Sequence, residues 1–301
     1  MPHFPFRSLS ACLFTLVFGL VPAVRLTAQP GGSGPSSSLE VSYAHSGSAD
    51  LEYAGRNAGD LSVGAFTVEA KTRRSLNPGL FGSAGLGWER YSIDADRGVP
   101  VPETLQVLKL DVGATFLLDR SWSVTIGLSP GFYSAGSSLK SDGFNVPVLA
   151  LATWRASPTF SLSGGLRYDA FSDNEVLPFL GFRWQATPAM TVSLGAPRTE
   201  VAYTLREGTE LFFGASFQGG GFHVDDAALV APAGYPSLRD TEMAYREIRA
   251  GGGVRWALSP EFSVDLEAGW MFDRRFDYYD RSLEVKTDGA VFARVGVTAR
   301  F

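Results

Sequence analysis

The sequence predicts an all-β protein, a single antiparallel up-and-down β-barrel that crosses a membrane with about fourteen strands. Twelve are possible if the two weakest lie outside the bilayer. Three observations carry this reading. Apolar and polar residues alternate through most of the chain in segments near ten residues long, and side chains alternate across a strand. The connections between these segments alternate between tight and long. Tryptophans recur beside the tight ones. Mean hydropathy is only +0.04, in a chain of 301 residues with 34 Gly and 13% aromatics. A helical membrane protein needs runs of roughly 20 apolar residues, whereas barrel strands dilute their apolar residues by alternation.

The chain opens on its one long apolar run, 11–24, between Arg7 and Arg25. A basic start, a short apolar core and a small-residue exit read as a secretory signal peptide, residues 1–28, cut after Ala28 with Ala23 as the fallback. Its removal takes away Cys12, the only cysteine, so the exported chain has no disulfide. It also takes away Arg7 and Arg25, leaving a more acidic chain than the whole, whose net charge is −5. No basic patch stands out, which argues against nucleic acid as a partner.

Residues 29–38, rich in Gly, Pro and Ser, read as a flexible linker, and the barrel as 39–301. Alternating segments follow at 39–44 and 61–73, the two weakest, then at 81–93, 105–117, 122–133, 144–155 and 160–170. The second half adds 177–185, 190–196, 200–206, 210–224, 245–257, 262–272 and 290–301. Ten residues at a rise near 3.3 Å and a tilt near 40° climb about 25 Å, the height of a barrel's apolar band. Tight connections fall at 77–79, 119–121, 156–158, 186–188, 207–208 and 258–260. Long polar ones fall at 94–104, 135–143, 225–242 and 273–289. Short turns at one rim and long loops at the other are a barrel's arrangement, with the short turns facing the periplasm.

Three tight turns repeat one pattern: Trp154 to Ser157-Pro158 to Phe160, Trp184 to Thr187-Pro188 to Met190, and Trp256 to Ser259-Pro260 to Phe262. Proline presets φ, and the Ser or Thr bonds the local backbone. Tryptophan prefers the headgroup layer, being apolar with one N–H. Trp122, Trp154, Trp184 and Trp256 therefore make one aromatic girdle. Trp88 and Trp270, with Tyr91, Phe132, Tyr168 and Phe272, make the other.

With the apolar alternate facing lipid, Lys109, Asp111, Arg167, Asp169, Arg183, Glu247, Arg249, Arg255, Asp265, Glu267 and Arg294 become candidates to line the lumen. Both signs are interleaved, which argues against a strongly ion-selective pore and for ion pairs that brace neighbouring strands. Leu149, Leu151, Phe179 and Phe212 also project inward. Pro130, Pro147, Pro178 and Pro197 fall toward the outer ends of their strands and mark where those strands stop, since proline cannot donate to the ladder. The glycine runs 219–221 and 251–253 read as bends covered by aromatics from adjacent strands. His45 and His223 have no metal-ligand spacing. His223 is the only plausible base for a barrel hydrolase, and no serine pairs with it by spacing. The expectation is no enzyme, no cofactor and no metal.

In the last segment Val291, Ala293, Val295, Val297, Ala299 and Phe301 share one face. Arg294, Gly296, Ala299 and Phe301 sit at the spacing of a C-terminal assembly signal, and the ending resembles that of bacterial outer-membrane β-barrels. The stretches 166–169, 182–188, 219–224, 245–253 and 272–279 are similar to a family of exported barrels recorded only as a domain of unknown function. The resemblance implies the outer membrane of a Gram-negative bacterium. As partners it implies outer-membrane lipids, periplasmic chaperones and the barrel insertion machinery. It brings no activity. The function expected is a passive or weakly selective channel or transporter for small solutes, porin-like in kind. The alternatives are a structural or surface-binding barrel without an open pore and, third, a barrel-embedded hydrolase. Deleting Phe301 should leave the protein unassembled and degraded in the periplasm. Normal heat-modifiable migration of that deletion on a gel would count against the signal.

Overall fold

A computed structural model describes residues 36–53, 55–225 and 229–301. The strands in chain order are β1 (Ser36–Tyr53), β2 (Arg56–Asn77), β3 (Leu80–Ala95), β4 (Thr104–Leu117) and β5 (Trp122–Leu128, resuming as Gly131–Ala135). Next come β6 (Phe144–Asn145 and Val148–Ser157), β7 (Phe160–Tyr168), β8 (Val176–Gln185), β9 (Met190–Leu194) and β10 (Arg198–Arg206). The last are β11 (Thr209–Val224), β12 (Thr241–Ala257), β13 (Phe262–Tyr278) and β14 (Leu283–Thr287 and Ala290–Arg300). Each strand pairs antiparallel with the next, and β14 pairs with both β13 and β1, Val297 lying opposite Val264 and Val41. The sheet is thus a closed antiparallel barrel of 14 strands. The alternative of twelve falls away.

The exterior follows the alternation. Leu86, Leu110, Ile126, Leu166, Leu180, Phe213, Leu266 and Val295 are exposed along it. A continuous apolar band of this kind is a lipid-facing surface. Trp122 and Trp154 stack with ring centroids 6.2 Å apart at the rim of short turns, and Trp184 is exposed at the same rim. In those turns Thr187 Oγ1 accepts from the Ala189 and Met190 amides, and Ser259 Oγ from Glu261 and Phe262. Ser157 Oγ accepts from Thr159. The repeated Ser/Thr-Pro element closes each hairpin through its own side chain.

The wall is uneven in height. β2 has 22 residues and β1 has 18, but β7 and β10 have 9 each and β9 only 5. The tall strands cannot stand open above the low sector without leaving unpaired ladder groups. The outer end of β11 crosses over the low sector to β5, where His223 and Val224 pair in parallel with Ser134 and Ala135. Above the low sector, β1–β5 and β11–β14 form a narrower ring. Its interior is filled by an apolar core that includes Leu51, Leu61, Leu105, Phe222, Met243, Phe276 and Val285. The β3–β4 and β11–β12 loops add Val101 and Leu238. Tyr278 Oη donates to the Pro100 carbonyl and pins the first of these loops.

The signal peptide and residues 29–35 of the linker lie outside the described residues, but Ser36–Ser38 are strand and not linker. Ser37 exchanges backbone hydrogen bonds with Phe301, which draws them into the ladder. β1 and β2, expected to be the weakest, are among the longest, because glycines and acids at their outer ends hide the alternation. The long loop expected at 273–289 is mostly strand. A bulge in β13 sets Ile248 opposite Asp273 but Arg249 opposite Met271, so the two-residue period slips by one. Tyr91 is not in the outer girdle; it is buried in the apolar core against Tyr245.

The prolines behave differently from one another. Pro197 does precede a strand, and Pro178 stays in the β8 register opposite Leu166. Pro130 and Pro147 interrupt β5 and β6 without ending them, since their carbonyls still accept from Leu110 and Ser129. Truncating the fully buried Phe276 to Ala should cost about 3–5 kcal/mol. Hydrogen exchange should localise the loss to the outer ring and leave the short-turn end protected.

Candidate functional site

Below the apolar core the lumen opens into a cavity of about 530 Å³. Lys109, Arg249, Arg255, Asp265, Glu267 and Arg294 line it among the sequence candidates. Glu40, Glu89 and Arg198 join them without having been expected. The alternation places all three inward; Glu40 and Glu89 pair with cations far off in sequence, while Arg198 has one partner, Glu200, two residues on.

Neighbouring strands knit these charges together. On β12, Arg255 donates to Glu200 at 2.6 and 2.8 Å, to Glu210 at 2.5 Å, and lies 3.4 Å from Asp265. Arg198 reaches Glu200 at 2.6 Å and Glu267 at 3.1 Å, across to β13. Both guanidiniums lie over the Phe212 ring, at 4.3 and 4.8 Å from its centroid. That ring also covers Gly253, where any Cβ would come within 2.5 Å of it. Arg294 pairs with Glu40 at 2.8 Å across the β14–β1 seam.

Glu247 is not lumen lining as expected. It is fully buried under the apolar core, where it accepts from Arg274 at 2.8 Å, from Tyr245 Oη at 2.7 Å and from Arg249. Arg274 is also fully buried, and the bulge in β13 is what turns it inward. Its Nη2 reaches Ser46 on β1, so one acid ties together β1, β12 and β13.

A second cavity of about 290 Å³ lies to one side, between β3–β7 and the glycine run of β11. It shares Glu89, Tyr91 and Lys109 with the lumen cavity. Leu149, one of the expected inward apolar residues, lines it with Val107, Val148 and Phe222. A third cavity, about 210 Å³, lies beneath the β7–β8 loop and is lined by Asp169, Asp173, Glu175, Arg246 and Asp277. Arg167, Gly219 and Gly220 are common to the second and third. Gly219 and Gly221 have no room for a side chain, since a Cβ would come within 2.0 Å of the Tyr245 carbonyl and 1.8 Å of the Phe171 carbonyl. Gly220 is different. A Cβ there meets nothing within 4 Å.

Of the remaining candidates, Asp111 accepts from Ser129 Oγ at 2.6 Å beside the side cavity. Arg183 faces inward between Ser161 and Ser193, without an ion pair among the described residues. Ser134 and His223, register partners at the β5–β11 crossing, line a small cavity of about 50 Å³ with Asp225. Ser134 Oγ and His223 Nε2 make no hydrogen bond to each other, which is not the arrangement of a nucleophile and its base. The hydrogen bond from Lys140 holds the Asp225 carboxyl below the usual carboxylate range.

The profile of a family described as Domain of unknown function (DUF6268) matches residues 90–288. No curated protein matches the chain. Among solved structures, a Pseudomonas aeruginosa FadL homologue is 11% identical, with TM-score 0.46, over 89% of this chain and 90% of that one. An outer membrane channel from Pseudomonas putida F1 is 12% identical, with TM-score 0.48, over 91% of this chain and 100% of that one. The Ralstonia pickettii toluene transporter TbuX is 10% identical, with TM-score 0.40, over 90% of each.

Replacing Glu247 by Ala would strand two buried guanidiniums, at a cost of about 3–5 kcal/mol. Thermal unfolding should register this loss, and Glu247→Gln should recover only part of it.

Proposed function

The chain belongs to the family described as Domain of unknown function (DUF6268), a description that assigns no activity, and from the lumen geometry we propose a passive or weakly selective outer-membrane channel for small solutes. A closed barrel with an apolar exterior and a charged interior supports the location, the outer membrane of a Gram-negative bacterium. The carrying observation is the sequence of cavities. The straight axial outlet is filled by the apolar core. The lumen nevertheless shares residues with the side cavity, and the side cavity with the one beneath the β7–β8 loop. A solute would pass around the core, leaving where β11 crosses above the low strands.

Interleaved charge suits a weakly selective passage, since most of the fixed charges are paired and neither sign dominates the lumen. The surface-binding reading has one observation in its favour, the same apolar core, which a barrel closed for good would also have. Conductance decides between them. Purified protein in a planar bilayer should give discrete steps, and Gly220→Phe should reduce them several-fold without altering heat-modifiable migration. If the wild-type protein gives no steps, the surface-binding barrel stands in place of the channel.

A further inference from the structure

Resting on the channel reading, we propose that the side cavity is a selectivity chamber for small organic monoanions with an apolar body. Its two junctions carry cations. Lys109 stands where it meets the lumen and Arg167 where it meets the outer cavity. A permeating anion would therefore meet a positive group on entering and another on leaving.

Hydrogen-bonding capacity decides the sign of the chamber. Among the described residues the one acid that lines it is Glu89, and each of its carboxylate oxygens accepts one hydrogen bond. Oε1 accepts from Lys109 at 3.1 Å and Oε2 from Tyr91 at 3.3 Å. Asp169, the partner of Arg167, is likewise occupied. One oxygen takes the guanidinium at 2.8 Å, and the other takes Asn145 Nδ2 at 2.8 Å and the Phe171 amide at 3.2 Å. The cations are less committed. An ammonium has three donors and a guanidinium five, while Lys109 gives one to Glu89 and Arg167 one to Asp169. The Arg167 side chain is 43% exposed, so its remaining donors are free to turn toward a ligand. The chamber thus offers about six uncommitted donors, two on Lys109 and four on Arg167, against about two free lone-pair sites on Glu89.

The rest of the wall sets the shape of the guest. Val107, Val148, Leu149 and Phe222 give an apolar side. At about 290 Å³ the space is at the small end for ligand cavities, which run from roughly 300 to 1,000 Å³. A single carboxylate on a compact ring or short chain meets both halves. A polyol of similar size would leave its hydroxyls against the apolar side, and a dianion would need more cation than the chamber has. Both cations are already partly neutralised, so such a guest is held weakly enough to leave, as conduction requires.

The test is the reversal potential of the full-length protein in planar bilayers under gradients of potassium chloride, potassium benzoate and potassium gluconate. Benzoate should permeate better than gluconate relative to potassium. Replacing Lys109 and Arg167 together by Met should cut the benzoate permeability ratio by about tenfold, the loss of charge-assisted hydrogen bonds. Leu149→Gln should lower the benzoate ratio and leave chloride alone. Arg167→Gln by itself keeps the comparison possible if the double variant fails to assemble. Chloride steps with equal benzoate and gluconate ratios, or a benzoate preference that survives loss of the cations, overturn the chamber and leave the channel. No steps in any salt overturn both.

Discussion

Everything in this protein depends on the seam at which β14 meets β1. A strand in lipid has no water to satisfy its amides, so each unpaired N–H or C=O there costs several kcal/mol. Only a sheet without edges avoids that cost. The seam supplies the last row of ladder bonds, from Ser38 opposite Arg300 to Ser46 opposite Phe292, with Phe301 joined to Ser37 at its end. Side chains reinforce the closure on the inside. Arg294 crosses to Glu40, and Arg274 on β13 reaches past β14 to Ser46. The outward residues of the seam are apolar apart from His45, which lies opposite Ala293.

The same demand for closure explains the outer ring. Once β1–β4 and β11–β14 rise above their neighbours, the sector from β6 to β10 leaves a gap that bare strand edges would border. β11 removes the edge by leaning across to β5, and a parallel contact of two residue pairs is enough to seal it. Narrowing the ring brings its inward side chains into mutual contact, so they become a core instead of a water-filled surface. The geometry has one further consequence. Where β11 departs from the low strands its backbone must pass close to Tyr245 and Phe171, and glycine is what fits. The crossing strand has no side-chain wall at that point, and there the second and third cavities adjoin.

Much of this was legible in the residues. The strand number, the side of each strand that faces lipid and the tight turns all follow from period two and from Ser/Thr-Pro chemistry. The inward placement of Lys109, Arg255, Asp265, Glu267 and Arg294 comes from the same period. Three things were not legible. The bulge at Phe272-Asp273 shifts the period within one strand, which hid Arg274 and turned a barrel strand into an apparent loop. The crossing of β11 over the low sector is a contact between residues nearly ninety positions apart, and no local pattern signals it. The charge pairs that cross between strands are similarly nonlocal, although others, such as Arg198 with Glu200, join residues two apart on one strand. Glu40 and Arg294, or Arg198 and Glu267, find each other only after the cylinder has closed.

Why a lumen so heavily charged should hold together is answered by residue type. The cations that bridge strands in the lumen are mostly arginine, whose planar fork donates to more than one carboxylate at once. Arg255 alone holds acids from β10, β11 and β13, and Arg198 extends the chain to a second acid on β13. A lysine's three donors sit on one compact centre and lack the planar fork that spans acids on several strands. Lys109 is the exception at the entrance to the side cavity, where its single bond to Glu89 leaves donors uncommitted. The division follows the architecture. Arg198 and Arg255, each tied to more than one acid, brace the wide part of the barrel, and Lys109 and Arg167, each with a single acid partner, stand at the openings through which a route could run.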